Sequence, residues 1–262
     1  MTPAVTGVTG QLGGRVSGLL EKYGVFHLAL VRDRAKMSGL PHHPHAEPRG
    51  PAAYGDHPAM SRALAGADTL LLVSGHLSGR RLEEHATAID AAIADGVRRI
   101  VYVSLLGAAP DATYVNARDH AATESLLAGA GVAWTVLRPS YYPGMLSRFA
   151  RDGVVRGPAG DGRCPFVGHD DIAEVAVAVL RDQSGAYDGA TLPVTGPEAL
   201  TVAEACAVAG LAFEDGPTAG DDPDTTSWFR SIADGSVAEV SDVVPRLTGH
   251  PARSVAQVLA AG

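Results

Sequence analysis

The sequence predicts an α/β protein: a doubly wound parallel sheet with a small C-terminal α/β lobe. Three observations carry this. Short apolar runs alternate with amphipathic helical stretches through the first half of the chain, the rhythm of βαβ units. Runs such as residues 26–31 and Thr69–Val73 are apolar without alternation, as in strands covered on both faces. The short run at residues 3–6 enters a glycine-spaced turn, Gly7-x-x-Gly10-x-x-Gly13, at the start of a helical pattern. The chain has 262 residues, 46% of them apolar and 19% charged. That suits one large globular domain, or one and a fraction.

In order, residues 3–6 form a short strand, and residues 11–23 show helical spacing at Leu12, Val16, Leu19 and Leu20. Residues 26–31 are a second strand. Residues 36–51, rich in Pro, His and Gly, read as loop. A short helix at 60–64 precedes the strand Thr69–Val73. A helix over 82–95 turns Ile89 and Ile93 inward. A strand at 100–103, a helix at 120–127 and a strand at 133–137 follow. After Pro139 the rhythm loosens. Residues 170–180 form a helix with Asp170 or Asp171 as N-cap, and 191–194 a strand. Thr201 caps a helix to Ala209, with Glu204 completing a capping box. Residues 216–224 are a polar turn region, and short helices follow near Trp228, at 240–247 and at 254–260. The boundaries expected are 1–140 for the nucleotide-binding domain and 141–262 for the lobe, with elements of the lobe packing back on the sheet.

Composition removes several function classes. Net charge is −8 and the isoelectric point about 5.6, with no Lys/Arg block, so neither nucleic acid nor an anionic membrane is an expected partner. No apolar run approaches the roughly 18 residues of a membrane span, and the N-terminal residues lack a signal-peptide pattern. Cys164 and Cys206 read as buried thiols in a reducing compartment. The expected location is the cytoplasm. Lys22 and Lys36 are the only lysines, which excludes any mechanism that needs a lysine from the middle of the chain.

The glycine turn has a physical logic. Gly7 permits the tight turn, Gly10 lets the backbone approach a pyrophosphate, and Gly13 lets helix and strand pack closely. The helix N-terminus then presents free N–H groups and positive partial charge to phosphates. With the flanking α/β units, this predicts a Rossmann-like fold that binds a dinucleotide. Arg32 directly follows the second strand. An arginine there meets the 2′-phosphate of NADP(H), whereas an acid would bind the ribose of NAD(H). Asp33 lies one residue further on, so NADP(H) is favoured over NAD(H). Asp56, in Tyr54-Gly55-Asp56, is placed either at an adenine edge or as the N-cap of the following helix.

Taken together, these motifs resemble the NmrA-like atypical short-chain dehydrogenase/reductases, and within them the type-2 NAD(P)H:quinone oxidoreductases. The residues that carry the resemblance are Thr6-Gly-Val-Thr-Gly-Gln-Leu-Gly13, Val31-Arg32, Tyr54-Gly-Asp56, Thr69 to Ser74 and Tyr102-Val-Ser-Leu-Leu106. His120-x-x-x-Glu124, Trp134-Thr-Val-Leu-Arg-Pro139, Pro158-Ala-Gly-Asp-Gly162 and Asp171-Ile-Ala173 add to them. The likeness runs to about residue 200 and returns at 242–251, with Arg246-Leu-Thr-Gly-His-Pro251. It implies that Gly7, Thr9, Gly10, Gln11 and Leu12 hold the pyrophosphate and Arg32 the 2′-phosphate. Ser74, Gly75 and His76 would border the nicotinamide ribose. Leu137, Arg138, Pro139, Ser140, Tyr141 and Tyr142 would close over the nicotinamide, with Tyr142 also facing the substrate. Ser104, at a strand end, belongs to the same candidate shell.

The chain departs from the wider superfamily where that superfamily reduces carbonyls with a Tyr-x-x-x-Lys pair. The matching stretch here is Tyr114-Val-Asn-Ala-Arg118, either a tyrosine whose phenolate Arg118 holds electrostatically or a loop tyrosine and a helix-start arginine. An alkoxide product needs a proton donor. A delocalised hydroquinone anion does not, so hydride transfer to a quinone-like acceptor needs mainly positioning. No catalytic residue is assigned. By the resemblance, the stretches 142–154 and 210–228, where the family builds its substrate lid, are shorter than expected, which implies a more open or differently shaped pocket. His42-His43-Pro44-His45 lacks a carboxylate or Cys partner and reads as solvated loop, so no metal site is expected. His120 and Glu124 are either a proton relay or a helix-surface pair. Trp228 and Phe229 either pack the lid or belong to the core. The function expected is an NAD(P)H-dependent oxidoreductase acting on a small, quinone-like acceptor. The alternative is a non-catalytic NADP(H)-binding redox sensor. The sequence leaves homodimerisation open.

Overall fold

Residues 1–39, 43–75, 79–218, 220 and 222–261 are described in the computed structural model. In chain order the elements begin with β1 (Pro3–Val5), α1 (Gln11–Lys22), β2 (His27–Leu30), β3 (Ala46–Arg49), α2 (His57–Leu64), β4 (Thr69–Val73) and α3 (Arg81–Ala94). They continue with β5 (Arg99–Val103), α4 (Val115–Ala128), β6 (Ala133–Pro139), α5 (Gly144–Phe149), β7 (Val154–Gly157), β8 (Arg163–Cys164) and α6 (His169–Arg181). The last are β9 (Ala190–Val194), β10 (Leu200–Thr201), α7 (Val202–Val208), β11 (Ala212–Asp215), α8 (Pro223–Ala233), α9 (Val243–Thr248) and α10 (Val255–Ala260). No helix among the described residues is long and apolar enough to cross a membrane.

A seven-stranded sheet has the order β3-β2-β1-β4-β5-β6-β9. From β3 to β6 every neighbouring pair is parallel, with Ala4 opposite Leu28 and Leu70, and Val73 opposite Val103. The strand order reverses between β1 and β4. That switch point is where the loops leaving two adjacent strands diverge and open a crevice. Strands β1, β2 and β5 are buried along their whole length, which matches their unalternated apolar sequences.

Strand β3 was not expected, since residues 36–51 read as loop. It is an edge strand, pairing Ala29 with Pro48. Two of its four residues are exposed and the other two half-buried, so no apolar run marks it. A sheet edge is where proline is tolerated. Helix α4 starts at Val115, earlier than the expected residue 120, because Val115-Asn116-Ala117-Arg118-Asp119 shows no helical apolar spacing.

The chain divides into two compact units that interleave along the sequence. The first comprises Met1–Ser104, Ala122–Leu137 and Ala173–Leu192, and the second Leu105–Ala121, Arg138–Ile172 and Pro193–Gly262. In the first, Leu28, Leu30, Met60, Leu64, Leu70, Leu72, Ile100 and Tyr102 form a core between one sheet face and α2 and α3. In the second, Trp228 packs against Tyr141, Phe149 and Phe229, with ring centroids 4.7, 5.1 and 4.9 Å apart. Gly157 makes this possible, because a Cβ there would stand 2.2 Å from Phe229. Of the two readings for Trp228 and Phe229, both residues are in the core, and both cysteines are buried and free.

Capping follows the sequence at α7, where Thr201 and Glu204 form the expected capping box. It does not at α6. Neither Asp170 nor Asp171 is the N-cap, since the helix begins at His169 and both lie in its first turn. Asp171 is fully buried and accepts from the Arg253 backbone N–H at 2.9 Å and from the Arg253 guanidinium. Its partner lies far along the chain, where no local capping rule could find it.

Candidate cofactor-binding site

The crevice at the switch point is built from the glycine turn upward. Gly7 has φ 67°, a backbone region that glycine enters without steric cost. The Gly10 N–H donates to the Gly7 carbonyl at 2.8 Å and closes the turn. A Cβ on Gly13 would stand 2.4 Å from that same carbonyl oxygen, so α1 packs against the turn only because residue 13 has no side chain. Gly10 is different. It is the N-cap of α1, exposed and in ordinary extended backbone. No side chain caps α1, and its first turn carries no acid. Its N–H groups and partial positive charge are therefore free to meet an anion.

These residues form one wall of a cleft of about 350 Å³. The cleft is lined by Thr6, Gly7, Thr9, Gly10, Gln11, Leu12 and Gly13 after β1, Leu30 and Arg32 after β2, and Val73, Ser74 and Gly75 after β4. Ala52, Ala53, Tyr54, Gly55 and Glu84 complete it. The sequence reading had not singled out this last group, nor Leu30 and Val73, as site residues. Tyr54 braces the floor. Its hydroxyl lies 2.6 Å from Thr6 Oγ1 and 2.7 Å from the Val73 carbonyl. The Thr6 hydroxyl in turn donates to the Leu71 carbonyl at 3.0 Å and accepts from the Val73 N–H at 2.9 Å. Glu84 had one sequence signal, its position one helical turn from Arg81 on a face that also carries His85.

The cleft thus gathers Gly7, Thr9, Gly10, Gln11, Leu12, Gly13, Arg32, Ser74 and Gly75 from the expected shell. Asp33 turns away, accepting from the Ala35 N–H at 2.9 Å. Asp56 is the N-cap of α2, accepting from the Ala59 N–H at 3.0 Å, and does not line the cleft. His76 and His42 lie outside the described residues. Ser104 is buried and donates to Glu124, so Glu124 is half-buried and engaged rather than part of a solvated surface pair. Leu137 is buried, and its carbonyl accepts from the Ser104 N–H at 2.7 Å. Arg138, Pro139, Ser140, Tyr141 and Tyr142 belong to the second unit. There the Pro139 carbonyl accepts from the Leu106 N–H at 2.8 Å, and Ser140 Oγ lies 3.3 Å from Cys164 Sγ. The Tyr141 hydroxyl bonds Ser231 Oγ at 2.6 Å, and the Tyr142 ring stacks on His169 at 4.3 Å.

Behind the Gly75 end of the cleft, His85 is fully buried. Its Nε2 lies 3.1 Å from the Gly75 backbone N, and its Nδ1 3.0 Å from Thr123 Oγ1. A backbone N–H can only donate, so Nε2 is the bare nitrogen and Nδ1 carries the proton. Burial, reinforced by the Arg81 charge, pulls the His85 pKa down to about 4. An unfolded histidine titrates near 6.5. As pH falls from about 6.5 to about 4, the unfolded chain takes up a proton that the folded chain refuses, so stability drops over that window. Above it the contribution is complete. Buried His27 acts in the same direction. The proton that His85 refuses is worth about 3 kcal/mol at most. His85→Gln, which keeps an acceptor and a donor, is expected to flatten the fall in melting temperature between pH 7 and pH 4.5. Identical pH profiles for the variant and the natural chain would show that His85 does not titrate in this way.

A cleft with a helix N-terminus, three glycines of distinct duty and an arginine after the second strand fits a dinucleotide, and the chain's relatives agree. Residues 7–183 match the family described as NAD(P)H-binding. The chain belongs to the NAD(P)H-binding family. This places it among NAD(P)H-dependent oxidoreductases of Rossmann-like fold. It is 34% identical over 211 residues to quinone oxidoreductase 2 of Escherichia coli (strain K12), covering 78% of this chain and 72% of that one. It is 33% identical over 277 residues to the (4-alkanoyl-5-oxo-2,5-dihydrofuran-3-yl)methyl phosphate reductase of Streptomyces griseus, covering 95% and 93%. The crystal structure of the NADPH-dependent quinone oxidoreductase QOR2 from Escherichia coli, complexed with NADPH, superposes with a TM-score of 0.87 at 29% identity. That match covers 100% of this chain and 99% of the other.

Proposed function

We propose that the protein passes a hydride from NADPH to a small, conjugated, quinone-like acceptor, without a Tyr–Lys catalytic pair. The observation that carries the reading is the lysine census beside the cofactor cleft. Lys22 and Lys36 are the only lysines, so no lysine can lower the pKa of Tyr114. Arg118 does not take that place, because its Nε donates to the Ala112 carbonyl at 2.8 Å. The Tyr114 hydroxyl accepts from Asn116 Nδ2 at 2.8 Å. Bound NADPH supplies the hydride. The glycine turn and α1 hold its pyrophosphate, and Arg32 holds its 2′-phosphate. The acceptor leaves as a delocalised anion that water protonates. The chain's task is then to align donor and acceptor. Both relatives named above act, by their names, on conjugated carbonyl compounds, which supports the acceptor class.

Steady-state kinetics with 1,4-naphthoquinone and an aliphatic ketone test this. NADPH oxidation is expected with the quinone and little with the ketone, and Tyr114→Phe is expected to change quinone turnover by less than about fivefold. A general acid would cost on the order of 100-fold. Strong ketone reduction that collapses in Tyr114→Phe would assign the chain to a Tyr–Arg variant of the carbonyl-reducing machinery. NADPH binding with no oxidation by any quinone would favour the sensor reading instead.

A further inference from the structure

Strand β4 contributes Val73, Ser74 and Gly75 to the cleft wall. Its last pair with β5 is Val73 opposite Val103, so that ladder does not fix Ser74 and Gly75. Side chains hold this stretch instead. The Val73 N–H donates to Thr6 Oγ1 at 2.9 Å, and the Val73 carbonyl lies 2.7 Å from the Tyr54 hydroxyl. The Gly75 N–H donates to His85 Nε2 at 3.1 Å. Thr6 and Tyr54 line the cleft themselves. His85 does not. It is fully buried in the second turn of α3 and reaches Gly75 from behind.

The ring of His85 is itself held. It lies edge-on to Tyr54 and to Tyr102, with centroids 5.9 and 5.6 Å apart. Its Nδ1–H meets Thr123 Oγ1 at 3.0 Å, and Thr123 is fully buried and hydrogen-bonded in turn to Tyr102. With Thr123 accepting the Nδ1 proton, Nε2 is left bare toward Gly75. A Cβ added to Gly75 would stand 3.5 Å from the Tyr54 ring and 3.8 Å from His85 Nε2, so the two rings back the wall directly. A buried polar ring is unfavourable unless its polar atoms are bonded. Both nitrogens of His85 are bonded, and one of the two bonds ends on a residue that lines the cleft.

We propose that His85 is a positioning residue for the cofactor: through Nε2 it holds the Gly75 wall where bound NADPH requires it. The proposal rests on the reading of the cleft as the NADPH site. A wall fixed before binding does not have to be ordered during binding, and the affinity keeps that difference. Without an acceptor at the Nε2 position, the Gly75 N–H is left as a donor that must find water. The end of β4 then moves to reach it, and binding has to restore the wall. His85 transfers no proton in this role, and its neutral form is the one that works.

Two amides separate the two bonds of His85. In His85→Gln the amide reaches the Nε2 position and keeps an acceptor for Gly75. In His85→Asn it reaches only the Nδ1 position and keeps the Thr123 contact alone. By fluorescence titration, the NADPH dissociation constant is expected to stay within about threefold of the natural chain in His85→Gln and to rise about 10-fold in His85→Asn. Hydrogen exchange of the Gly75 amide in the ligand-free protein, read by NMR, is expected to be faster in His85→Asn than in His85→Gln. His27→Asn is the control for a merely structural loss. His27 is as deeply buried and in the same unit, but it bonds Ser17 and the Val25 carbonyl at the start of β2, away from the cleft. It is expected to lower the melting temperature and to leave NADPH affinity within about twofold. Thr123→Val leaves His85 in place and removes the acceptor for its Nδ1 proton. It is expected to weaken NADPH about fivefold, and it carries the test if His85→Asn does not fold. Equal NADPH affinity in His85→Asn and His85→Gln, equal Gly75 exchange in the two, or an equal loss in His27→Asn would each overturn the proposal. So would unchanged affinity in Thr123→Val. A natural chain that binds no NADPH would instead defeat the reading of the cleft, before any variant is compared.

Discussion

Gly10→Val is expected to leave the protein folded and to remove NAD(P)H binding. The two halves of that result rest on different measurements. Gly10 has φ −102° and ψ 178°, extended backbone that valine adopts readily. An added Cβ would meet only the Gly7 carbonyl oxygen, at 3.2 Å, which a shift of a few tenths of an ångström relieves. Gly10 lines the cleft at the N-terminus of α1, so the added bulk would stand where the proposed function puts the pyrophosphate. Losing two charge-assisted hydrogen bonds costs about 3 kcal/mol or more, so affinity is expected to fall by more than about 100-fold. Gly13→Ala is the contrasting control. Its Cβ would lie 2.4 Å from the Gly7 oxygen, so the loss appears first as lowered thermal stability. Circular dichroism and fluorescence titration with NADPH report the two quantities separately. A folded Gly10→Val protein that binds NADPH within threefold of the natural chain would place the pyrophosphate elsewhere.

The parts of this site that could be read in the sequence are those whose physics is local. A glycine that must take φ 67°, a strand buried on both faces and a threonine–glutamate capping box each leave their mark within a few residues. The residues that escaped reading depend on partners far along the chain. Tyr54 matters because Thr6 and Val73 come together beneath it, and they do so only once β1 and β4 pair. Asp171 resembles an N-cap in sequence, yet its partner is Arg253. Strand β3 owes its existence to the edge of β2 and not to its own residues.

If Arg32 holds the 2′-phosphate as proposed, Arg32→Ala is expected to weaken NADPH by about 10- to 100-fold while leaving NADH within twofold. The chain runs from the buried Val31 straight into an exposed Arg32 that lines the cleft. Its guanidinium can meet a 2′-phosphate with two parallel hydrogen bonds, and only NADPH carries that group. The competing acid is engaged elsewhere, since Asp33 accepts from the Ala35 N–H and does not line the cleft. Arg32 is exposed, so salt screens the contact, and the discrimination is expected to shrink between low and 0.5 M ionic strength. Arg32→Lys keeps the charge but not the fork, and is expected to fall between the two. Titrating both cofactors against all three proteins at two salt concentrations decides the matter. A loss in Arg32→Ala that is equal for NADH and NADPH would mean that Arg32 shapes the cleft without reading the phosphate, and the preference would have to come from another residue.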